Sequence, residues 1–355
     1  MQFRELTYIH MHSHPDTRYT VGYIFSCQLC FLIMTLDVEF DLGIKKIGDN
    51  KWVGNKPLEK PNPLSRGAYG GNIAGQALLV AIKLAPEGFT PHSLHSLFTK
   101  AVDDTTPVVW EADEIHNGKS FCSRTVKALQ DGTIKYLANV LLTKRNSFNE
   151  AKNLYDEWAR NHKEGDEDDD PPSLKPFRFF VPYPEWLKNH SPELLEVLDF
   201  GCNNAVCKIS PEFVSLDLTK DEDQARSSDR RQACYLQWGN DGEVKFTDPA
   251  FQFVGLGILL DSIFLTRIAR VLRIPHLDHS QRLQYVSLSL DHVIYFHDAD
   301  FDSTKWMGFA FKATRIANGR VLLEGELYNL DGRQVATVFQ EGLVYFNGFE
   351  EGAKL

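Results

Sequence analysis

Two pairs of hairpin turns, about 200 positions apart, constrain this 355-residue chain more than any other feature. Asn117-Gly118 and Asp131-Gly132 are answered by Asn318-Gly319 and Asp331-Gly332, offset by 201 and 200 positions. Asn-Gly and Asp-Gly between apolar alternating runs are the strongest short-range hairpin signals, because both residues tolerate positive φ. Around each pair the same order recurs: a helix-like run, one strand, then three strands parted by the two turns. A shared order and spacing points to an internal duplication, with two antiparallel sheets each folded round its own helix. Such halves are expected to pair sheet edges or to pack their helices face to face.

The first helix-like run follows Gly70-Gly71 and extends from Asn72 to about Leu84, stopped by Pro86 and Gly88. Small residues Ala74, Gly75 and Ala77 let it lie close to a neighbour. The pattern lacks both G-x-G-x-x-G and the terminal Lys-Ser/Thr of a nucleotide loop, so the Gly pair is not read as a phosphate loop. It does leave backbone N–H groups at a helix start, facing a carbonyl oxygen or phosphate. Strands are expected over 93–99, 108–115, 120–128 and 134–142.

The second run, 251–272, reads as one mostly buried helix with Asp261 in its middle. A carboxylate is costly to bury unless it is hydrogen-bonded or used. Strands follow over 285–296, 307–316, 321–328 and 335–345. In the first of these, alternation places Ser287, Ser289 and Asp291 on one face and Leu288, Leu290 and His292 on the other. Gln340 interrupts the apolar last strand. A carboxylate, a hydroxyl and an amide converging on one spot hold and polarise a water, which suits hydrolysis without a covalent intermediate. A Ser–His–Asp triad is disfavoured: Ser289 and His292 should face opposite ways, His297 is eight residues off, and no G-x-S-x-G elbow exists.

The rest is read as connection. Residues 45–66 are polar and proline-bearing and read as a loop; 145–189 reads as a linker with an acidic run at 164–170; strands are expected within 202–214 and 230–236. With 48 acidic against 38 basic residues the net charge is -10, which argues against a general nucleic-acid or anionic-membrane binder. Six cysteines are too sparse for a disulfide scaffold and suit a reducing setting. Cys27-x-x-Cys30 lies in a short apolar run without a second such pair, so it is read as neither a zinc nor a redox site, and the run as no membrane span. The first 19 residues carry His10, His12 and His14 and do not resemble an efficient secretory signal.

Four separated stretches carry a family likeness: Tyr69-Gly-Gly-Asn-Ile-Ala-Gly-Gln-Ala77, His92-Ser-Leu-His-Ser-Leu-Phe98, Leu290-Asp-His-Val-Ile-Tyr-Phe-His297, and Gly325-Glu-Leu-Tyr with Gln340-Glu-Gly342. From about Leu36 to Tyr345 the chain resembles the acyl-CoA thioesterase II family, peroxisomal type. The resemblance implies an α+β double hotdog fold, two antiparallel sheets each wrapped round a long helix, and hydrolysis of fatty acyl-CoA to free acid and CoA. It places the family's Asp, hydroxyl residue and Gln on Asp261, Ser289 and Gln340, with Ser where Thr is usual.

The expected organisation is an N-terminal extension (1–35), a first hotdog domain (36–144), a linker (145–195), a second hotdog domain (196–348) and a tail (349–355). Substrate contacts are expected at Gly70, Gly71, His95, Lys119 and Arg124, the basic ones toward CoA phosphates. No cofactor or metal is expected, and homo-oligomers are. The ending Ala353-Lys354-Leu355 is close to the Ser-Lys-Leu address, so a peroxisomal import receptor is an expected partner and the peroxisome matrix the expected location, with cytoplasm second. The competing functions are a hotdog enoyl-CoA hydratase and an inactive acyl-CoA binder.

Overall fold

The computed structural model describes residues 37–61, 65–162, 175–198, 205–209, 224–239, 244–262, 265–274 and 286–346. The N-terminal histidines and cysteines, the acidic run and the terminal tripeptide lie outside the described residues.

The first half supplies strands β1 (Ile44–Gly48), β2 (Lys51–Gly54), β3 (Thr90–Phe98), β4 (Val109–Asn117), β5 (Phe121–Gln130) and β6 (Thr133–Thr143). The second supplies β7 (Val197–Leu198), β8 (Ala205–Ile209), β9 (Gln232–Trp238), β10 (Val286–Ser289), β11 (Asp291–Phe296), β12 (Met307–Ala317), β13 (Arg320–Tyr328) and β14 (Gln334–Tyr345). They form one antiparallel sheet in the order β1-β2-β4-β5-β6-β3-β11-β14-β13-β12-β9-β8-β7, with β10 also paired to β14. The halves join where β3 meets β11, with His95 opposite Val293. Each half is thus spared one bare edge.

Helices are α1 (Val38–Asp41), α2 (Gly70–Leu84), α3 (Phe148–Asn161), α4 (Glu185–Asn189), α5 (Phe251–Leu260) and α6 (Ile268–Val271). Both α2 and α5 are buried for most of their length. They run antiparallel in direct contact: a Cβ on Gly71 would lie 2.9 Å from Ile258 Cα, and one on Gly75 3.0 Å from Val254 Cγ1. Glycine lets the two backbones approach this closely. Edge pairing and helix packing, expected as alternatives, therefore occur together. This is the tandem hotdog architecture, as expected.

The turns explain the register only in part. Asp131-Gly132 and Asn318-Gly319 both take positive φ at both residues, as a tight two-residue hairpin requires. At Asp331-Gly332 only the glycine does, inside a wider loop closed by Asn329 N–H to Arg333 O at 3.0 Å. Asn117-Gly118 takes positive φ at neither, and the Asn117 side chain is bonded to Arg124 and Glu114.

Three expectations are corrected. The loop expected at 45–66 contains the β1–β2 hairpin, turned by Asn50 at φ 52°. The linker expected at 145–189 contains α3, whose start Ser147-Phe-Asn-Glu150 is a capping pattern: Ser147 Oγ accepts from Glu150 N–H at 2.9 Å. The helix expected over 251–272 stops at Leu260 and resumes only as a 3-10 turn (Leu265–Arg267) and α6. Ser262 contributes to this break by donating its hydroxyl to Leu259 O at 2.6 Å, a local bond that competes with the helical ladder.

Candidate functional site

Because α5 stops at Leu260, Asp261 is not in mid-helix: it caps the helix, with φ -99° and ψ 2°. The sheet brings two partners to it. Gln340 on β14 is buried and points inward, toward the helices. Its Nε2 donates to Asp261 Oδ1 at 2.6 Å and to Ser289 Oγ, at the end of β10, at 2.9 Å. One side-chain amide therefore ties together all three residues expected at the site. Gln340 Oε1 is buried and accepts nothing from the described residues.

The first half completes the surroundings. The antiparallel packing of the helices carries the N-terminus of α2 to the C-terminus of α5. There the Gly71 N–H donates to the Asp261 carboxylate. Gly70 lies against Oδ2 and against the Phe98 ring; a Cβ there would stand 2.6 Å from Oδ2. Tyr69 donates to Ile258 O at 2.8 Å and fixes the last turn of α5. Behind Phe98 lies the buried Tyr136, with ring centroids 5.1 Å apart.

These surroundings set the electrostatics. Burial raises the Asp261 pKa from 3.8 to about 7, against the opposing hydrogen bonds from Gln340 and Gly71. Asp261 is nonetheless not sealed off, since part of its surface reaches solvent. A carboxylate balanced near neutrality, partly accessible, with one oxygen fixed by an amide, can take a proton from a small molecule and return it. Burial likewise pushes the Tyr136 phenol up, so it remains a neutral group.

Ser289 and His292 do not face opposite ways, contrary to what alternation along one strand predicts. Ser289 sits opposite Gly342 on β14, and Val293 opposite Phe339, so one extra residue has entered between them. This is a β-bulge at Leu290 and Asp291. Asp291 Oδ1 accepts the Glu341 N–H at 2.7 Å, and Leu290 O accepts the Phe98 N–H of β3 at 2.9 Å. The bulge turns both Ser289 and His292 inward. A triad is still not formed, because Ser289 receives the Gln340 amide and neither ring nitrogen of the buried His292 has a hydrogen-bond partner among the described residues. His297 is held by Thr337 Oγ1 at 2.7 Å on an exposed position.

Of the residues expected to touch substrate, only Gly70 and Gly71 lie at this end. His95 is exposed on the outer face of β3, edge-on to Tyr295 at 5.5 Å, with the sheet between it and Asp261. Arg124 is buried at the opposite end of α2, roughly 20 Å of helix away. It donates to Leu84 O, His116 O, Ser123 O and Asn117 Oδ1, closing the C-terminus of that helix. Its donors are spent inside the protein, which corrects the expectation of a phosphate contact. Lys119 belongs to the β4–β5 loop at that same far end. Among the described residues no group of three His, Cys, Asp or Glu side chains is placed to hold a metal ion, and no helix is long and apolar enough to cross a membrane.

Comparison with known proteins bears on the family and the fold. Residues 59–143 match the acyl-CoA thioesterase N-terminal domain and 209–344 the acyl-CoA thioesterase C-terminal domain. Acyl-coenzyme A thioesterase 8 of Rattus norvegicus is 26% identical over 297 residues, 79% of this chain and 81% of the relative. The peroxisomal acyl-coenzyme A thioester hydrolase 1 of Saccharomyces cerevisiae is 24% identical over 320 residues, covering 79% and 87%. Among solved structures, an acyl-CoA thioesterase II from Mycobacterium marinum superposes with TM-score 0.62 at 20% identity, covering 88% of this chain and 98% of its own. That likeness is one of fold.

Proposed function

The chain belongs to the acyl-CoA thioesterase family, with its N- and C-terminal domains in tandem, and on that premise we propose that it hydrolyses fatty acyl-CoA at Asp261, Ser289 and Gln340. A water gives one proton to Asp261, and its oxygen bonds to the thioester carbonyl carbon. The C–S bond then breaks, the carboxylic acid is released, and the CoA sulfur takes the proton from Asp261. Gln340 holds the carboxylate and the Ser289 hydroxyl in fixed relation, and its Oε1 is open to the second water proton. The observation that carries this reading is the Gln340 amide bridging Asp261 Oδ1 and Ser289 Oγ. An Asp whose pKa lies near 7 suits both accepting and returning the proton.

Thiol release from acyl-CoAs of short, medium and long chain tests the proposal, beside hydration of an enoyl-CoA. Hydration without thiol release would favour the hydratase instead; binding without either would favour an inactive binder. The buried, neutral His292, whose ring nitrogens pair with no carboxylate among the described residues, speaks against the His–carboxylate pair that hydration employs.

Two further parts belong to the same reading. The name of the yeast relative supports a peroxisomal setting, with Ala353-Lys354-Leu355 as the segment an import receptor would bind. An N-terminally tagged chain is expected to lose its peroxisomal signal when 353–355 are removed. Association with further copies belongs to the same reading, and light scattering checks it.

A further inference from the structure

The thioesterase scheme gives one buried hydroxyl beside the site no task. Tyr136 on β6 is fully buried, and its phenol oxygen has no hydrogen-bond partner among the described residues. Neighbouring polar side chains are committed elsewhere. Ser96 on β3 donates to His292 O at 2.8 Å. Trp110 on β4, with its ring centroid 6.4 Å from that of Tyr136, donates Nε1 to Gln76 Oε1 at 3.1 Å. A buried phenol ordinarily finds a partner, and phenylalanine would fill the same space without the cost of an unpaired hydroxyl.

Packing relates that hydroxyl to the reaction. Tyr136 stands opposite Phe98 in the β3–β6 pairing, with ring centroids 5.1 Å apart. The Phe98 ring in turn comes to 3.1 Å from the place of a Gly70 Cβ, which is itself 2.6 Å from Asp261 Oδ2. Asp261 and Phe98 are both partly exposed, so they form the solvent-reaching side of this cluster and Tyr136 its buried side. The wall beyond is apolar, with Leu94 on β3 and Ala138 and Val140 on β6 all buried. An acyl chain held by its carbonyl at Asp261 and running inward past Phe98 meets the phenol within a few bonds of the thioester.

We propose that Tyr136 is a specificity-determining residue that recognises a hydroxyl group at the α or β carbon of the acyl chain, so that hydroxyacyl-CoAs are preferred substrates. The inference rests on the thioesterase reading and names a substrate class for that same site. A phenol both donates and accepts, so it pairs with a hydroxyl in either sense. In an otherwise apolar wall one fixed polar group selects by hydrogen bonding: a hydroxylated chain pairs with it, while an unsubstituted chain leaves it unpaired. The hydrolysis itself is unchanged, since Tyr136 touches the chain and not the reacting carbon.

The test measures thiol release by the wild type, Y136F and D261N from three acyl-CoAs of one chain length: unsubstituted, hydroxylated at the α carbon and hydroxylated at the β carbon, each hydroxylated one as both enantiomers. The quantity read is the ratio of kcat/KM for the best hydroxylated substrate to that for the unsubstituted one. It is expected to exceed one in the wild type and to fall about tenfold in Y136F, which keeps the ring and lacks only the hydroxyl. A loss of fold or of Asp261 geometry would lower both rates and leave the ratio in place. A folded Y136F with the wild-type ratio overturns the inference. If Y136F does not fold, the wild type decides, and a ratio below one overturns it. Release from the unsubstituted chain that is lost in D261N leaves the thioesterase reading standing in either case. A wild type that releases no thiol from any of them removes that reading, and the inference with it.

Discussion

Gly70 and Asp261 come from different halves of the chain, yet the place of a Gly70 Cβ lies 2.6 Å from Asp261 Oδ2. The Phe98 ring closes the other side of that point at 3.1 Å. Gly70→Ala therefore has no room without moving the carboxylate. The expected outcome is a loss of about 100-fold in kcat with a folded protein, read by thiol release and circular dichroism. Wild-type kcat in G70A would show that the carboxylate is not held at this contact.

Asp261 must be ionised to accept a proton, and its pKa is raised to about 7. The rate should therefore fall as pH drops through about 7, with a limiting slope of one. Asp261→Asn should remove a factor of about 100 to 10,000. Gln340→Ala and Ser289→Ala should each cost about tenfold or more, because they position and do not accept the proton. A kcat/KM profile flat from pH 5 to 8 would falsify the assignment of the base.

The same burial has a cost in stability. A carboxyl whose pKa rises on folding contributes fully below its unfolded value of 3.8, and the contribution is lost as pH climbs through about 7. Above that pH the native protein holds a poorly solvated charge. Asp261→Asn is thus expected to stabilise the fold at pH 8 by about 1–4 kcal/mol and to make little difference at pH 4. Urea denaturation at the two pH values measures both, and greater stabilisation at pH 4 would reverse the sign.

Arg124 makes the opposite kind of prediction. Its guanidinium closes the C-terminus of α2 through Leu84 O and takes the carbonyls of His116 and Ser123. Arg124→Met should cost about 2–4 kcal/mol by taking the donor from those part-buried carbonyls and opening the end of α2. KM for acyl-CoA in the folded fraction should stay at its wild-type value. A large rise in KM at unchanged stability would return Arg124 to the substrate.

The sequence by itself determined the duplication, the antiparallel hotdog halves and the identity of the three clustered residues. These depend on local turn chemistry, on alternation and on motifs quoted along the chain. Even the helix α3 was written locally, in Ser147 and Glu150, although the stretch reads as a linker.

What only the tertiary structure decided depends on contacts between distant segments. One inserted residue at Leu290 reverses the alternation between Ser289 and His292, and it is held by bonds from β3 and β14 that no local pattern encodes. Asp261 sits at a helix end, where strand positions far along the chain and the α2 N-terminus meet it. Arg124 and His95 carry the right chemistry for a ligand, but the direction of a side chain from its strand sends one into a helix cap and the other to the outer face. Residue type is a property of the chain; the neighbours that give it a task are fixed only by packing.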